Sequence, residues 1–274
     1  MGFEKQIVEI DGISYPYLNK GHQNETIVLV HGYAADKESW LGYARLLASK
    51  RRVVMLDLPG FGDAARSMDL DYSPRVQADR LAAFIRQVSD EPVHVIGSSM
   101  GGYISAWLAI LHPQRVATLT LMNAAGVFGA NASKVQDAAE SGENALMVRN
   151  TADLNRLFAL LAYRKMRLPW FVKRHLLRQY EHRAEHLERV FWQLVDAQES
   201  DAMQSRLPEI SAPTLVLWGD SDDIIDVSCA DVYAAEIPNA TRLVLPNVGH
   251  IPMFEAPRKS AAAHETMMQK HAGR

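Results

Sequence analysis

The chain has 274 residues, of which 48% are hydrophobic and 22% are charged, and its formal net charge at pH 7 is −3. This composition is typical of a soluble globular protein, excludes a disordered chain and, with no basic domain, gives no support to nucleic-acid binding. The single cysteine, Cys229, excludes an internal disulfide. The start lacks a signal-peptide pattern, and no apolar run approaches the roughly 20 residues of a membrane helix. The sequence therefore predicts a cytoplasmic protein and leaves association with a membrane surface open.

The first half of the chain alternates predicted strands and helices. Two apolar runs, at residues 7–10 and 13–18, flank Asp11-Gly12, which predicts a β-hairpin at an antiparallel edge. Four β-branched or aliphatic runs predict further strands, at residues 26–30, 52–58, 93–96 and 117–122. Helical periodicity separates them, at about residues 38–49, 73–88 and 100–111. Such alternation predicts an α/β fold with a parallel sheet and right-handed crossovers.

The alternation stops in the middle of the chain. Residues 128–205 show only helical periodicity, after which strand patterns return at residues 213–219 and 241–245. Helices are predicted near residues 227–236 and 257–270. We therefore predict an α/β core formed by residues 1–127 and 206–274, interrupted by a helical insertion at 128–205.

Ser99 lies in the motif Gly97-Ser98-Ser99-Met100-Gly101, between a strand pattern and a helical pattern. A Gly-x-Ser-x-Gly motif in this context predicts a nucleophile elbow, which is a strained strand-to-helix turn that exposes the serine. The glycines are required because a Cβ atom there would collide with a neighbouring strand or helix. Since glycine and serine are abundant, the motif alone also fits an ordinary loop, and its context favours the elbow.

A serine hydroxyl needs a base within hydrogen-bond reach and a third group that orients this base. Asp222 and His250 each follow a predicted strand, and open α/β sheets build their sites at the carboxyl ends of their strands. The chain order Ser, Asp, His is that of α/β-hydrolases. Three neighbouring carboxylates compete with Asp222 for the acidic position: Asp220, Asp223 and Asp226.

Five separated motifs together resemble the α/β-hydrolases over the whole chain. They are His31-Gly32, Asp57-Leu58-Pro59-Gly60-Phe61-Gly62, the elbow with Gly102, Trp218-Gly219-x-x-Asp222, and Gly249-His250-x-Pro252-x-x-Glu255-x-Pro257. Within the superfamily, the segments around His31, the elbow and Asn123 resemble bacterial family V lipases and esterases and ABHD6-type monoacylglycerol lipases. The resemblance implies a mostly parallel eight-stranded sheet with helices on both faces, and a helical cap at 128–205 that selects the substrate.

The resemblance also implies the role of each site residue. Ser99 would be the nucleophile, His250 the general base and then acid, and Asp222 the residue that holds the imidazole. The main-chain N–H groups of Tyr33 and Met100 would form the oxyanion hole, so the Tyr33 side chain is expected to matter little for charge stabilisation. His31 and Asp57 are expected to be structural. No metal ion or cofactor is expected.

The implied reaction is hydrolysis of a small-molecule carboxylic ester, an acylglycerol or a similar acyl ester. Other uses of the same triad remain open, namely carbon–carbon bond hydrolysis, thioester cleavage and perhydrolysis, as does a non-catalytic receptor. Carbon–carbon hydrolases usually carry a glycine-rich loop after His-Gly, which Tyr33-Ala34-Ala35-Asp36 does not match. Ser99 at the elbow excludes dehalogenases and epoxide hydrolases, which use Asp there.

The segment 151–195 contains nine basic and four acidic residues, a local charge of +5. The cations bracket Leu168-Pro169-Trp170-Phe171-Val172, which would suit docking on an anionic membrane surface. The sequence favours the alternative that the cations are solvated and that Trp170 and Phe171 pack inward over the acyl pocket. Four residues are therefore the candidates for this pocket: Val127, Trp170, Phe171 and Ile251. The oligomeric state is left open.

The remaining histidines are predicted to be structural or solvated. His94 lies within a strand pattern and is expected in the core with a backbone partner. Five others lie in charged helical stretches and are expected on solvated faces: His175, His182, His186, His264 and His271.

Overall fold

The computed structural model describes residues 2–21, 25–200 and 203–271. Within them, eight strands form one sheet in the order β1-β2-β4-β3-β5-β6-β7-β8. The strands are β1 (Glu4–Ile10), β2 (Ile13–Lys20), β3 (Thr26–Val30), β4 (Arg52–Leu56), β5 (Val93–Ser98), β6 (Val116–Met122), β7 (Thr214–Gly219) and β8 (Ala240–Leu245). The strands β3 to β8 pair in parallel, whereas β1 and β2 are antiparallel. This confirms the predicted mostly parallel eight-stranded sheet.

Helices join the strands and cover the sheet. The α-helices are α1 (Leu41–Leu47), α2 (Pro74–Val88), α3 (Met100–Leu111), α4 (Lys134–Glu140), α5 (Thr151–Leu161), α6 (Trp170–Glu181), α7 (Ala184–Ser200), α8 (Met203–Arg206), α9 (Ser228–Glu236), α10 (Pro252–Glu255) and α11 (Pro257–His271). Short 3-10 helices occur at Lys37–Trp40, Pro113–Arg115 and Leu207–Glu209. Apart from shifts of a few residues at their ends, the predicted elements are found where the sequence places them.

The first two strands form the predicted hairpin. Ile10 lies opposite Ile13, and the two turn residues Asp11 and Gly12 have φ angles of 51° and 76°. Positive φ at both central residues is the geometry of a type I′ turn, whose twist matches that of the flanking strands. The hairpin lies at one edge of the sheet because β2 continues the pairing antiparallel to β4.

The central strands are buried on both faces. Every residue of β3 is buried, and its side chains alternate between two apolar clusters. Val28 and Val30 belong to the cluster that contains residues of α2 and α3, while Ile27 and Leu29 belong to the cluster that contains residues of α1 and α11. A strand covered on both faces reads as a continuous apolar run, which explains why the sequence shows these strands so clearly.

Between β6 and β7 the described residues form helices and connecting loops and contain no strand, as predicted. Helices α5 and α6 pack together through Leu157 on one side and Leu176, Leu177 and Tyr180 on the other. Helix α7 contributes Leu187 and Val190 to the main core. None of the helices in the described part of the chain is long and apolar enough to cross a membrane.

Two histidines predicted on solvated faces are buried, so the prediction is wrong for them. His264 on α11 is fully buried with Ser260, Met267 and Met268, and its Nδ1 lies 2.8 Å from the Thr120 hydroxyl. These neighbours are three or four residues away, so they share one face of the helix with His264. Burial lowers the pKa of His264 to about 3, so the ring is neutral at pH 7.

The second misplaced histidine, His186 on α7, is buried among aromatic rings. Its ring contacts those of Phe61 and Tyr72, with centroid distances of 6.1 and 4.9 Å. Burial lowers the pKa of His186. His94 is buried as predicted. Its Nδ1 lies 2.9 Å from the Thr118 hydroxyl, so its partner is a side chain and not the predicted backbone group.

Helix α3 runs unusually close to the strands beneath it. A Cβ atom on Gly101 would lie 2.3 Å from the carbonyl oxygen of Val30 and 2.5 Å from that of His31. A Cβ atom on Gly97 would lie 2.3 Å from the carbonyl oxygen of Gly101. Only glycine permits these contacts, and they fix the position at which β5 turns into α3.

We predict that Gly101→Ala lowers the free energy of unfolding by about 1–3 kcal/mol or more, because the added methyl overlaps with backbone atoms that cannot rotate away. Gly42→Ala is the matched control. Gly42 is also helical but exposed, and a Cβ atom there would have no neighbour within 4 Å. It should stabilise the protein by up to about 1 kcal/mol through helix propensity. Urea unfolding checks both values, and equal stability of the two variants would contradict the close packing.

Candidate active site

Ser99 lies at the tip of the turn between β5 and α3 with φ 55° and ψ −121°. Such a backbone is strained for a residue with a side chain, and it persists only where the surroundings hold it. Here the Ser99 N–H donates to the carbonyl of Met122 at 3.1 Å. The Ser99 carbonyl accepts from the N–H groups of Gly102, Tyr103 and Ala125. The turn is thus the strained strand-to-helix geometry that the motif predicts.

Asp222 and His250 lie on the loops after β7 and β8 and form a buried pair. His250 Nδ1 donates to Asp222 Oδ2 at 2.8 Å, and the two side chains are 5% and 0% exposed. The second carboxylate oxygen, Oδ1, accepts from the N–H groups of Ile224 and Ile225 at 2.8 and 3.0 Å. A carboxylate fixed in this way holds the imidazole in one orientation, with the proton on Nδ1 and Nε2 free to accept.

The three competing carboxylates form hydrogen bonds or ion pairs with groups other than His250. Asp220 accepts from the N–H of Asn247, at 2.8 Å, and stabilises the turn before His250. Asp223 pairs with Lys134 at the surface. Asp226 accepts from the N–H of Ser228 at the start of α9. Of the four, Asp222 is the carboxylate that meets His250.

Ser99 and His250 line the same cavity, of about 120 Å³, together with Tyr33, Ile251 and Phe254. Ser99 lines two cavities, and we call this one the second cavity. The structure shows no hydrogen bond between the described Ser99 and His250 side chains. Hydrogen bonds of this kind are often long without substrate and shorten in the substrate complex. The arrangement places a hydroxyl, a correctly oriented imidazole and a buried carboxylate around one space.

The loop after β3 lies against Ser99. A Cβ atom on Gly32 would lie 3.1 Å from that of Ser99. The ring of His31 holds this loop, since it accepts from the Leu58 N–H at Nε2 and donates from Nδ1 to the Gly32 carbonyl at 2.8 Å. Burial lowers the pKa of His31, which favours this neutral form. His31 therefore has the contacts of a structural residue.

The two predicted oxyanion donors border the site. Tyr33 and Met100 both line a first cavity, of about 170 Å³, that also contains Ser99. Within the described residues, the main-chain N–H groups of Tyr33 and Met100 have no hydrogen-bond partner. Met100 is the first residue of α3, where N–H groups lack partners inside the helix and the helix dipole favours negative charge. The geometry suits stabilisation of an anion beside Ser99.

The Tyr33 side chain has a structural contact that the sequence does not reveal. Its hydroxyl donates to the carbonyl of Leu187 in α7 at 2.8 Å. Its ring also contacts Phe61 and Phe191, with centroid distances of 6.5 and 6.2 Å. The loop that carries one predicted oxyanion donor is therefore tied directly to a helix of the insertion.

The candidate pocket residues divide into two groups. Val127 lines the first cavity and Ile251 lines the second, so both stay candidates for the substrate pocket. Trp170 and Phe171 do not line either cavity and are 72% and 61% exposed, so their predicted inward packing is wrong. The reason is that α6 packs on α5 through Tyr180 and its neighbours, which turns Phe171 to the opposite side of the helix.

Two further residues support the site without having been assigned a role from the sequence. Asn123 donates from Nδ2 to Asp222 Oδ2 at 2.6 Å, so it shares the oxygen that His250 contacts. Glu255 accepts the N–H of Gly249 at 2.7 Å and that of Tyr163 at 3.1 Å. Both residues belong to the sequence segments on which the family resemblance rests. That resemblance is the sequence signal that could have identified them.

The sheet order, the elbow at Ser99 and the carboxylate–imidazole pair after β7 and β8 together define an α/β-hydrolase. A family model described as "alpha/beta hydrolase fold" matches residues 25–257. The chain belongs to this family, and the predicted fold is confirmed.

The relatives are lipases. "Monoacylglycerol lipase abhd6-B" of Xenopus laevis is 29% identical over 256 residues, covering 90% of this chain and 76% of the relative. "Lipase 1" of Psychrobacter immobilis is 29% identical over 257 residues, covering 92% and 80%. A solved structure described as a membrane phospholipase A, a bacterial virulence factor, is 35% identical with a TM-score of 0.94, covering 100% of this chain and 88% of that one. These findings confirm the resemblance to lipases and support a serine ester hydrolase.

Tyr33→Phe should lower the free energy of unfolding by about 0.5–1.5 kcal/mol, because the hydrogen bond to Leu187 is lost while the ring packing remains. Tyr43→Phe is the matched control. The Tyr43 hydroxyl is buried without a partner among the described residues, so its removal should be neutral or stabilising. Urea unfolding distinguishes the two variants. Equal stability of Tyr33→Phe and Tyr43→Phe would show that the hydrogen bond between Tyr33 and Leu187 does not stabilise the protein.

Proposed function

We propose that this protein is a serine carboxylic ester hydrolase that acts on acylglycerols or similar acyl esters through an acyl-enzyme on Ser99. One observation carries the proposal. The strained elbow presents Ser99 in the same cavity as His250, whose Nδ1 is held by the buried Asp222 carboxylate at 2.8 Å. A serine hydroxyl becomes a useful nucleophile only beside such an oriented base.

Acylation follows from these positions. His250 Nε2 accepts the Ser99 proton while Oγ attacks the ester carbonyl carbon, and the negative charge of Asp222 stabilises the resulting imidazolium. The carbonyl oxygen becomes an oxyanion beside the N–H groups of Tyr33 and Met100. As the carbonyl re-forms, the bond to the alcohol oxygen breaks and His250 protonates that oxygen. The alcohol leaves, and the acyl group stays on Ser99.

Deacylation repeats the sequence with water. His250 removes a proton from water, the hydroxide attacks the acyl carbon, and a second oxyanion forms at the same donors. Collapse of this intermediate breaks the bond to Ser99 Oγ, which recovers its proton from His250. The products are one carboxylic acid and one alcohol, and the enzyme returns to its starting state.

An apolar ester fits the space around Ser99. The first cavity extends from Ser99 between the core and the insertion, with walls formed by Val127, Val135, Phe191 and Ile224. The second cavity leaves Ser99 on the side of His250. Two cavities that meet at the nucleophile suit a substrate with groups on both sides of its ester. The printed names of the relatives, lipases of monoacylglycerols among them, support the same substrate class.

Residues 128–205 act in this proposal as a cap that selects the substrate, with residues 1–127 and 206–274 as the catalytic core. Helices α4 and α7 contribute walls to the first cavity, and α5 and α6 contribute walls to the second. The insertion therefore contributes to the shape of both cavities. The cytoplasmic location stays a prediction from the sequence.

Hydrolysis of p-nitrophenyl butyrate and of monoacylglycerols by the purified chain tests the proposal. Ser99→Ala should reduce turnover by roughly 10⁶-fold and Asp222→Asn by about 10⁴-fold, as in other enzymes with this triad. Asp223→Asn is the matched control and should leave turnover unchanged, because Asp223 pairs with Lys134 away from the site.

Three outcomes would overturn the proposed function. The wild-type chain could bind esters without hydrolysing them, which would indicate a receptor. It could cleave a thioester or a dienoate carbon–carbon bond far faster than any oxygen ester. Finally, Ser99→Ala could retain full turnover, which would place the nucleophile elsewhere.

A further inference from the structure

An exposed apolar surface borders the opening of the second cavity. It consists of five large side chains on the surface, Tyr163, Met166, Trp170, Phe171 and Phe254, which we call the rim surface together with the cations between and beside them. Large exposed side chains grouped in this way mark an interaction site, whereas scattered ones are ordinary.

The two segments that form the rim surface are held together. Glu255 of α10 accepts the N–H groups of Tyr163 and Arg164, both at 3.1 Å, which fixes the loop after α5 against α10. Met166 and Phe254 line one shallow groove between these segments. The rings of Trp170 and Phe171 contact each other edge to face, with centroids 6.3 Å apart. The loop after α5 and the segment around α10 thus form one groove, and Trp170 and Phe171 follow that loop as the first two residues of α6.

The rim surface shares a residue with the candidate active site. Phe254 lines both the surface groove and the second cavity that contains Ser99 and His250. Ile251 lines both as well. A ligand in the surface groove therefore contacts two residues that also line the second cavity.

The rim surface is also strongly basic. Its exposed cations are Arg164, Lys165, Arg167, Arg174, Arg178, Arg258 and Lys259, and none of them forms an ion pair within the described residues. On α6, Phe171, Arg174 and Arg178 follow the spacing i, i+3 and i+7, which places them on one exposed face. The chain as a whole carries a charge of −3, so this positive patch is local.

We propose that the rim surface docks the protein on an anionic phospholipid membrane, with the second cavity opening toward the lipid. Trp, Tyr and Phe side chains settle at the boundary between headgroups and acyl chains, and unpaired cations bind the phosphates above it. This combination of aromatic rings and free cations matches a membrane interface better than an apolar protein surface. The route of lipid esters into the site rests on the proposed function, whereas the docking itself does not.

Cosedimentation of the full Ser99→Ala chain with vesicles tests the docking, because this variant is expected to leave the lipid intact. We expect binding to phosphatidylcholine vesicles that contain phosphatidylserine, and little binding to pure phosphatidylcholine. Binding at about 0.01 M salt should disappear near 1 M, where the Debye length falls from roughly 30 to 3 Å.

Variants in the Ser99→Ala background locate the contact. Arg258→Gln with Lys259→Gln should weaken binding about 25-fold, since each cation near an anionic surface contributes about fivefold. Trp170→Ser with Phe171→Ser should weaken it at least tenfold, as roughly 1.4 kcal/mol of lost apolar burial implies. The matched controls are Arg86→Gln and Ile7→Ser, which change an exposed cation and an exposed apolar residue away from the rim surface and should bind unchanged.

Equal binding to both kinds of vesicle, binding that resists salt, or rim variants that bind like the controls would overturn the inference. So would capture of polyglutamate in place of vesicles, which would indicate an acidic protein partner. In the active chain, Trp170→Ser with Phe171→Ser should hydrolyse p-nitrophenyl butyrate normally but lose activity on monoacylglycerol in vesicles. A wild-type chain that binds vesicles yet hydrolyses no ester would contradict the proposed function and leave the docking intact.

Discussion

The close approach of α3 to the strands beneath it is the constraint on which the site depends. It exists because Gly97 and Gly101 have no Cβ atoms, which would lie 2.3 Å from backbone oxygens. The chain then turns sharply enough to give Ser99 a positive φ, and the surrounding hydrogen bonds hold that strained backbone in place. The same turn brings Ser99 against Gly32, so Ser99 and the loop after β3 are positioned by one packing contact.

The insertion contributes to this geometry as well as covering it. The Tyr33 hydroxyl ties the loop after β3 to α7, and the main-chain N–H of His250 donates to the carbonyl of Leu161 at the end of α5 at 2.8 Å. Glu255 adds a third link, since it binds both the loop before His250 and the loop after α5. The loop after β3 and the loop that carries His250 are therefore hydrogen-bonded to the insertion, so a shift of its helices would displace Tyr33 and His250.

The sequence predicts most of the fold because the signals that define it are local: β-branched runs for buried strands, Asp-Gly for the hairpin and glycine spacing for the elbow. The sequence also puts Ser99, Asp222 and His250 after strand ends, and the structure brings these three residues together there, while their catalytic roles stay predictions. The burial of His264 and the exposure of Phe171 depend on which helix face meets a neighbour, which composition does not reveal. The supporting contacts of Asn123 and Glu255 join segments far apart in the chain, so only the folded structure shows them.

Covalent labelling with a fluorophosphonate tests the central claim, that the fold activates Ser99 through His250. Only a serine beside an oriented base attacks the phosphorus at a useful rate. Intact mass and peptide mapping of the wild-type chain should show a single adduct on the peptide that contains Ser99, and His250→Gln should remain unlabelled under the same conditions. An adduct on another residue, or equal labelling of the His250→Gln variant, would contradict the account.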